Sequence, residues 1–449
     1  MYKKTLFIFR RDLRIEDNIG LIESLQNSKE VIPCFIYDEN IIKKLKDSKF
    51  RWSFLNHSLV DLDNQLKKKG ASLQILEGKP EKIIDKIIKK HNINAVFLNT
   101  DFTNYAQRRD EKIFQVCKKN NISFHSTLDF LLHNPNEIKT NDGSPYTIYS
   151  FFYKKARQFP IKKIVKNIQK NYSKEIISGD EIKKSEIKNK EIVGGGRNEA
   201  LKILKCLDKF RDYDKVRDFP GLNQTTMLSA HNKFGTISVR EVHKEIKEIL
   251  GSEHTIMGEM YWREFFSHIL FHFPYAQKTT FRQKFQKIPW SKSKESFKKW
   301  SEGKTGFPIV DAGMRQLNQT GFMHNRVRMV VASFLTKDLH MDWRLGEKYF
   351  EEKLIDHDPA VNSGNWQWAA STGCDSVPYF RIFNPWRQQE RFDLNCDYIK
   401  KWIPELEKAE PKIIHKLWEK FPANLEYPKP MLTHKIEAEK TKMIFKSQK

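Results

Sequence analysis

Five short apolar runs decide the fold of the first part of this chain: KTLFIF (residues 4–9), EVIPCFIY (30–37), ASLQILEG (71–78), NAVFLNT (94–100) and ISFHSTL (122–128). Each has the length and the Ile, Val and Phe content of a strand. Between them, FLNHSLVDLDNQLKKKG (54–70) and EKIIDKIIKKH (81–91) space Leu, Val and Ile at helical intervals. A parallel strand pair needs a long crossover, so this alternation predicts a doubly wound α/β sheet. No GxGxxG follows the first run, so classical dinucleotide binding is not expected there.

Further along, the pattern changes. Residues 131–200 are lysine-rich, weakly periodic and end near Gly194-Gly195-Gly196; they read as an interdomain connection carrying some helix. From 201 onward strand signals fade and helical patterns dominate. Of ten tryptophans, only Trp52 precedes that point. The predicted organisation is an α/β domain over 1–130, a connection over 131–200 and an all-α domain over 201–449.

The chain of 449 residues is too long for one ordinary core. Its five cysteines are scattered with no CxxC pair, which argues against a disulfide framework or a thiolate zinc site. His268 and His272 share a helix face, but with no third ligand in view no metal site is predicted. No run approaches the ~20 apolar residues of a membrane span, and the N-terminal apolar run is too short for a secretory signal. A soluble, cytoplasmic protein is expected. A net charge of +24 points to a polyanion, nucleic acid first, although stretches such as KKSEIKNK also serve as solubility surface.

Several segments could carry chemistry. In EMYWREFF (259–266), Glu259 and Trp262 lie three apart on one helix face, and Glu259 and Arg263 are spaced for an ion pair. In GFMHNRVRMVVASF (321–334), Asn325 and Met329 share a face, while Arg326 and Arg328 point elsewhere and need partners if buried. In LIDHDPAVNSGNWQWAASTG (354–373), Asp356 and Asp358 precede Pro359 and either can cap a helix. Trp366 and Trp368, two apart, must face opposite sides of a helix.

Taken in order, WREFF, TGFPIVDAGMRQL, MHNRVRM, DWRLGEKYF, DHDPAVNSGNWQWAASTG and YFRIFNP resemble the flavin-binding helical domain of the photolyase and cryptochrome family. The opening FRRDLRIEDN is similar to that family's N-terminal signature. The resemblance runs from residue 5 to about 430 and is nearest to the photolyases that repair cyclobutane pyrimidine dimers (class I).

The resemblance implies FAD in the helical domain, held by Tyr213, by Thr225, Thr226, Met227, Leu228 and Ser229, and by Arg263, Arg328, Asp356, Asp358 and Asn362. Met227 stands where the family often has Arg, so one basic phosphate neighbour is lost. Asn362 matches the residue facing flavin N5, and Arg328 is expected to pair with Asp356. Trp366, Trp343 and Trp290 match the family's electron-relaying tryptophans; Trp300 reads as packing. Glu259, Trp262, Asn325, Met329 and Trp368 match the lesion pocket, and Arg217, Arg326 and Gln388 match residues that contact DNA. The implied activity is light-driven splitting of the dimer by an electron from reduced flavin, in a monomeric, nucleoid-associated enzyme. A six-four photolyase would place a histidine at the Asn325 position. A signalling cryptochrome is expected to add a long tail and lose pocket residues. A second, antenna chromophore is expected to be a deazaflavin or a flavin before a folate, because Asn104-Tyr105-Ala106-Gln107 lacks the Asn-Glu pair of the folate type.

Overall fold

The computed structural model describes residues 1–45, 48–185 and 193–448. Its contacts divide the chain into two units: Met1–Arg211 with Thr226–Pro274, and Asp212–Thr225 with Tyr275–Lys449.

The first unit is built on a five-stranded parallel sheet: β1 (Tyr2–Phe9), β2 (Ser28–Asp38), β3 (Gln74–Gly78), β4 (Ala95–Asn99) and β5 (Ser123–Thr127). All five predicted strands are present. The spatial order β3-β2-β1-β4-β5 makes this the expected doubly wound sheet, with β1 at the switch point. Register follows the apolar runs: Leu6 opposes Ile32 and Val96, and Ile8 opposes Cys34 and Leu98. Helices cover both faces, so the strands read as continuous apolar runs. The helices Val239–Ile249 and Thr255–His272 belong to the same unit.

The FRRDLRIEDN signature has a structural job. Arg14 bonds Asp129 at 2.6 Å; Arg240 bonds Asp17 at 2.8 Å and the other oxygen of Asp129 at 2.7 Å. All four side chains are at most 2% exposed. They tie the turn after β1 to the segment after β5 and to the helix Val239–Ile249.

Residues 131–200 do not hang free of this unit. The helix Tyr149–Ala156 leads into an extended run that lies along β2. Tyr172 bridges Val31 in parallel and Asp180 bridges Ile75.

The second unit is helical, with all strands of the described residues lying in the first. Its core gathers Trp300, Trp343, Trp366, Trp386 and Trp402 with aliphatic side chains. This explains the shift in tryptophan use along the chain: large rings fill the gaps between short helices. No helix among the described residues is long and apolar enough to cross a membrane.

Candidate functional site

The predicted site residues fall in both units. In the second, several of them meet on two packed helices, Trp343–Lys353 and Pro359–Ala369. Asp358 caps the second of these, accepting from the N–H groups of Ala360 at 3.0 Å and Val361 at 3.4 Å. The capping reading of this aspartate therefore holds. One turn on, Asn362 is buried and its Nδ2 donates to Glu347, to the backbone oxygen at 2.9 Å and to Oε1 at 3.3 Å. The amide is thereby oriented, and its oxygen is left as the acceptor.

Trp366 is 2% exposed and packs against Phe350 and Trp300, with ring centroids 4.9 and 6.1 Å away. Gly346 makes room for it, since a Cβ there would lie 2.2 Å from Trp366 Cη2. Trp368 is half-buried against the same core. Trp343 is 1% exposed and its Nε1–H has no hydrogen-bond partner among the described residues. Trp290 is half-buried, edge-on to Phe445. Trp300 donates to the Val331 carbonyl at 3.1 Å and is fully buried, as a packing residue would be.

The helix Asn325–Ser333 exposes Asn325 and half-exposes Met329 on one face. His324 caps it by accepting from Arg326 N–H at 3.2 Å through Nδ1. Burial first, then the arginines nearby, push its pKa down to about 4, only partly opposed by Asp218. Arg326 pairs with Asp218 at 2.7 Å and lies over Phe392. Arg328 pairs with Asp356 at 3.0 Å, as expected, and also donates to the Met323 carbonyl at 2.7 Å. The second oxygen of Asp356 and the side-chain oxygen of Gln388 are buried with no partner among the described residues. Arg217 lies over Tyr213, one helical turn before it, and both are half-buried, as is Thr225.

In the first unit, Glu259, Trp262 and Arg263 are half-buried along the helix Thr255–His272. Arg263 pairs with its neighbour Glu264 at 3.3 Å and donates to the Phe130 carbonyl at 2.9 Å. Glu264 is buried, which raises its pKa to about 7 against the pull of Arg263. Tyr149 lies flat on Trp262, with centroids 3.7 Å apart and planes 6° apart. Thr226, Met227, Leu228 and Ser229 lead into the six-residue helix Ser229–Phe234; Met227 takes φ +57°, a left-handed conformation uncommon for its type. Ser229 is exposed and Leu228 buried.

Glu347, Gly346 and Tyr149 were not singled out from the sequence. Each acts on a site residue through a fold contact, and the signal available was only their position inside or beside the motifs.

Two family models match: DNA photolyase over residues 5–168 and the FAD binding domain of DNA photolyase over residues 256–447. The deoxyribodipyrimidine photo-lyase of Synechococcus sp. is 35% identical, covering 99% of this chain and 96% of its own. The archaeal photolyase from Sulfolobus tokodaii, solved with two FAD molecules, matches with TM-score 0.86 and 37% identity over 99% of this chain and all of its own. The cryptochrome of Synechocystis sp. matches with TM-score 0.91 at 26% identity over 99% of each chain. On this agreement along its whole length, the chain belongs to the DNA photolyase family and carries that family's FAD-binding domain.

Proposed function

We propose that this protein is a light-driven DNA repair enzyme that splits cyclobutane pyrimidine dimers with FAD as its cofactor. The single observation that carries the choice of lesion is the segment His324–Met329. Asn325 and Met329 form its outer face, while His324 is turned inward as a helix cap and is neutral at pH 7. A six-four enzyme needs a histidine able to give a proton, and this one is unsuited to it.

FAD is a ligand rich in N–H and O–H donors, and the chain offers matching acceptors. The second Asp356 oxygen is one, buried with no donor partner among the described residues. Arg328 pairs with Asp356 at 3.0 Å and holds the carboxylate in place. Tyr213, Thr225, Thr226 and Ser229 supply hydroxyls, and Arg263 supplies charge for the phosphates beside Leu228 and Met227. Asp358 fixes the start of the helix that carries Asn362, whose side-chain oxygen would be the acceptor offered to flavin N5. When bound and reduced, the flavin supplies the electron that light delivers to the lesion.

In its protonated form Glu259 would donate a hydrogen bond to the pyrimidine carbonyl as negative charge builds there, a contact that strengthens in the transition state. Trp262 and Trp368 wall the two flipped bases, beside Asn325 and Met329. Arg217, Arg326 and Gln388 meet the DNA next to the lesion. Trp366, Trp343 and Trp290 restore electrons to the site. Trp343 has no local acceptor for its indole proton, so when oxidised it passes the positive charge on; Trp290, half-buried, loses its proton to water.

The enzyme works as a cytoplasmic, nucleoid-associated monomer in this reading, with domains over 1–130, 131–200 and 201–449. A second chromophore of flavin class is favoured over deazaflavin or folate, since the Sulfolobus relative was solved with two FAD molecules. The test is illumination of the reduced holoenzyme with a thymine-dimer oligonucleotide. Light-dependent recovery of intact thymines is expected, and none in the dark.

A further inference from the structure

Residues 154–174 hold eight Lys and Arg and no Asp or Glu. This short segment therefore carries a third of the net charge of +24. Lys162, Lys163, Lys166, Lys170 and Lys174 are all exposed, and none pairs with a carboxylate among the described residues. Between them, Val165, Asn167, Asn171 and Ser173 tie the segment to the sheet domain. Val165 exchanges hydrogen bonds with Asp17. Asn167 is buried and donates to the Ile15 carbonyl at 2.9 Å and to Tyr172 at 2.7 Å. Asn171 donates to the Leu25 and Ser28 carbonyls, and the Ser173 N–H donates to Val31 at 2.7 Å. A tethered strap thus presents a row of cations at fixed places. Lys162, Lys166, Lys170 and Lys174 recur every fourth residue, at most about 13 Å apart in an extended chain. A loose lysine tail would give the same charge without the register.

The chain leading into the row begins beside Trp262. Tyr149, which lies flat on Trp262, stacks on Tyr153 at 5.6 Å, and the Arg157 guanidinium lies 5.2 Å over Tyr153. The chain then runs directly into the strap. We infer that the strap over residues 154–174 is a second DNA contact, a track for the phosphate backbone of the duplex flanking the lesion. This rests on the reading of Trp262 as a lesion-pocket residue in a DNA repair enzyme. Exposed Ile168 and Ile176 would also suit an anionic membrane surface, but continuity with Trp262 favours nucleic acid.

The test uses flavin-loaded full chain with Lys162, Lys166, Lys170 and Lys174 all changed to Gln, and a second variant with all four changed to Arg. Affinity is measured against salt on a long undamaged duplex, a long duplex bearing a thymine dimer, and a short duplex that ends a few base pairs from the dimer. On both long duplexes the Gln variant is expected to lose about 3.6 from the slope of log K against log salt, since each of the four phosphate contacts contributes about 0.9. The Arg variant should keep the wild-type slope, and the short duplex should bind both variants as it binds wild type. An unchanged slope in the Gln variant overturns the proposal, as does an equal loss on short and long duplexes. Loss of binding to phosphatidylserine vesicles with DNA binding intact would overturn it too, and assign the strap to membranes. If wild type fails to prefer the dimer at all, the repair reading fails; the slope on undamaged duplex still decides the strap.

Discussion

At the scale of single residues, the chemistry depends on groups that the motifs do not contain. Asn362 is legible from its motif, but its orientation comes from Glu347, fifteen residues earlier on another helix. Trp366 is likewise legible, whereas the space for its ring is made by Gly346. A methyl group at 346 would collide with Trp366 and Leu335, so Gly346→Ala should cost about 1–3 kcal/mol of stability and displace the ring. The check is a urea midpoint together with the rate of flavin photoreduction, both of which should fall. Trp343→Phe leaves a cavity in a buried core and should cost some stability, and it should block photoreduction while chemically pre-reduced enzyme keeps its repair. Unchanged photoreduction would remove Trp343 from the relay. Such partners escape sequence reading because the helix pairing that brings them together is a property of packing, not of spacing along the chain.

At the scale of elements, the strands were plain and the histidines were not. The five apolar runs became β1 to β5 because a parallel sheet covered on both faces needs unbroken apolar strands. By contrast, the pair His268 and His272 in the helix Thr255–His272 looked like a face-sharing doublet and nothing more. In the fold their rings lie 4.5 Å apart, and burial, then His272 and Lys139, press His268 down to about 3. His133, beside Tyr261 of the same helix, is pressed to about 4 by burial and by His243. These groups stay neutral when folded and take up protons near 6.5 when unfolded. Their contribution is therefore intact above pH 6.5 and lost as pH falls from there toward 4. Each adds up to about 1.4 kcal/mol per pH unit to the slope in that window. Urea midpoints should be flat above neutrality and drop steeply below pH 6.5, and His268→Phe should flatten the drop. A midpoint insensitive to pH across that window would refute the account.

At the scale of the whole molecule, fold class and family were legible because many motifs occur in one order, each weak alone. What the FRRDLRIEDN signature is for was not legible. Its Arg14 and Asp17 meet Asp129 and Arg240, more than a hundred residues away, in a buried network that only the folded chain assembles. Arg14 and Arg240 hold the Asp129 carboxyl below its ordinary range despite burial. Removing that carboxylate strands the buried Arg14 and leaves Arg240 with Asp17 alone, so Asp129→Ala should destabilise the protein by about 3–5 kcal/mol, read as a fall in the urea midpoint. The central claim is the lesion, and one assay addresses it most directly. Reduced holoenzyme, wild type and Glu259→Ala, is illuminated with a thymine dimer and with a six-four photoproduct in separate oligonucleotides. The account predicts repair of the thymine dimer alone, at a lower yield in Glu259→Ala with its FAD retained. Repair of the six-four product alone, or of neither lesion, would contradict it.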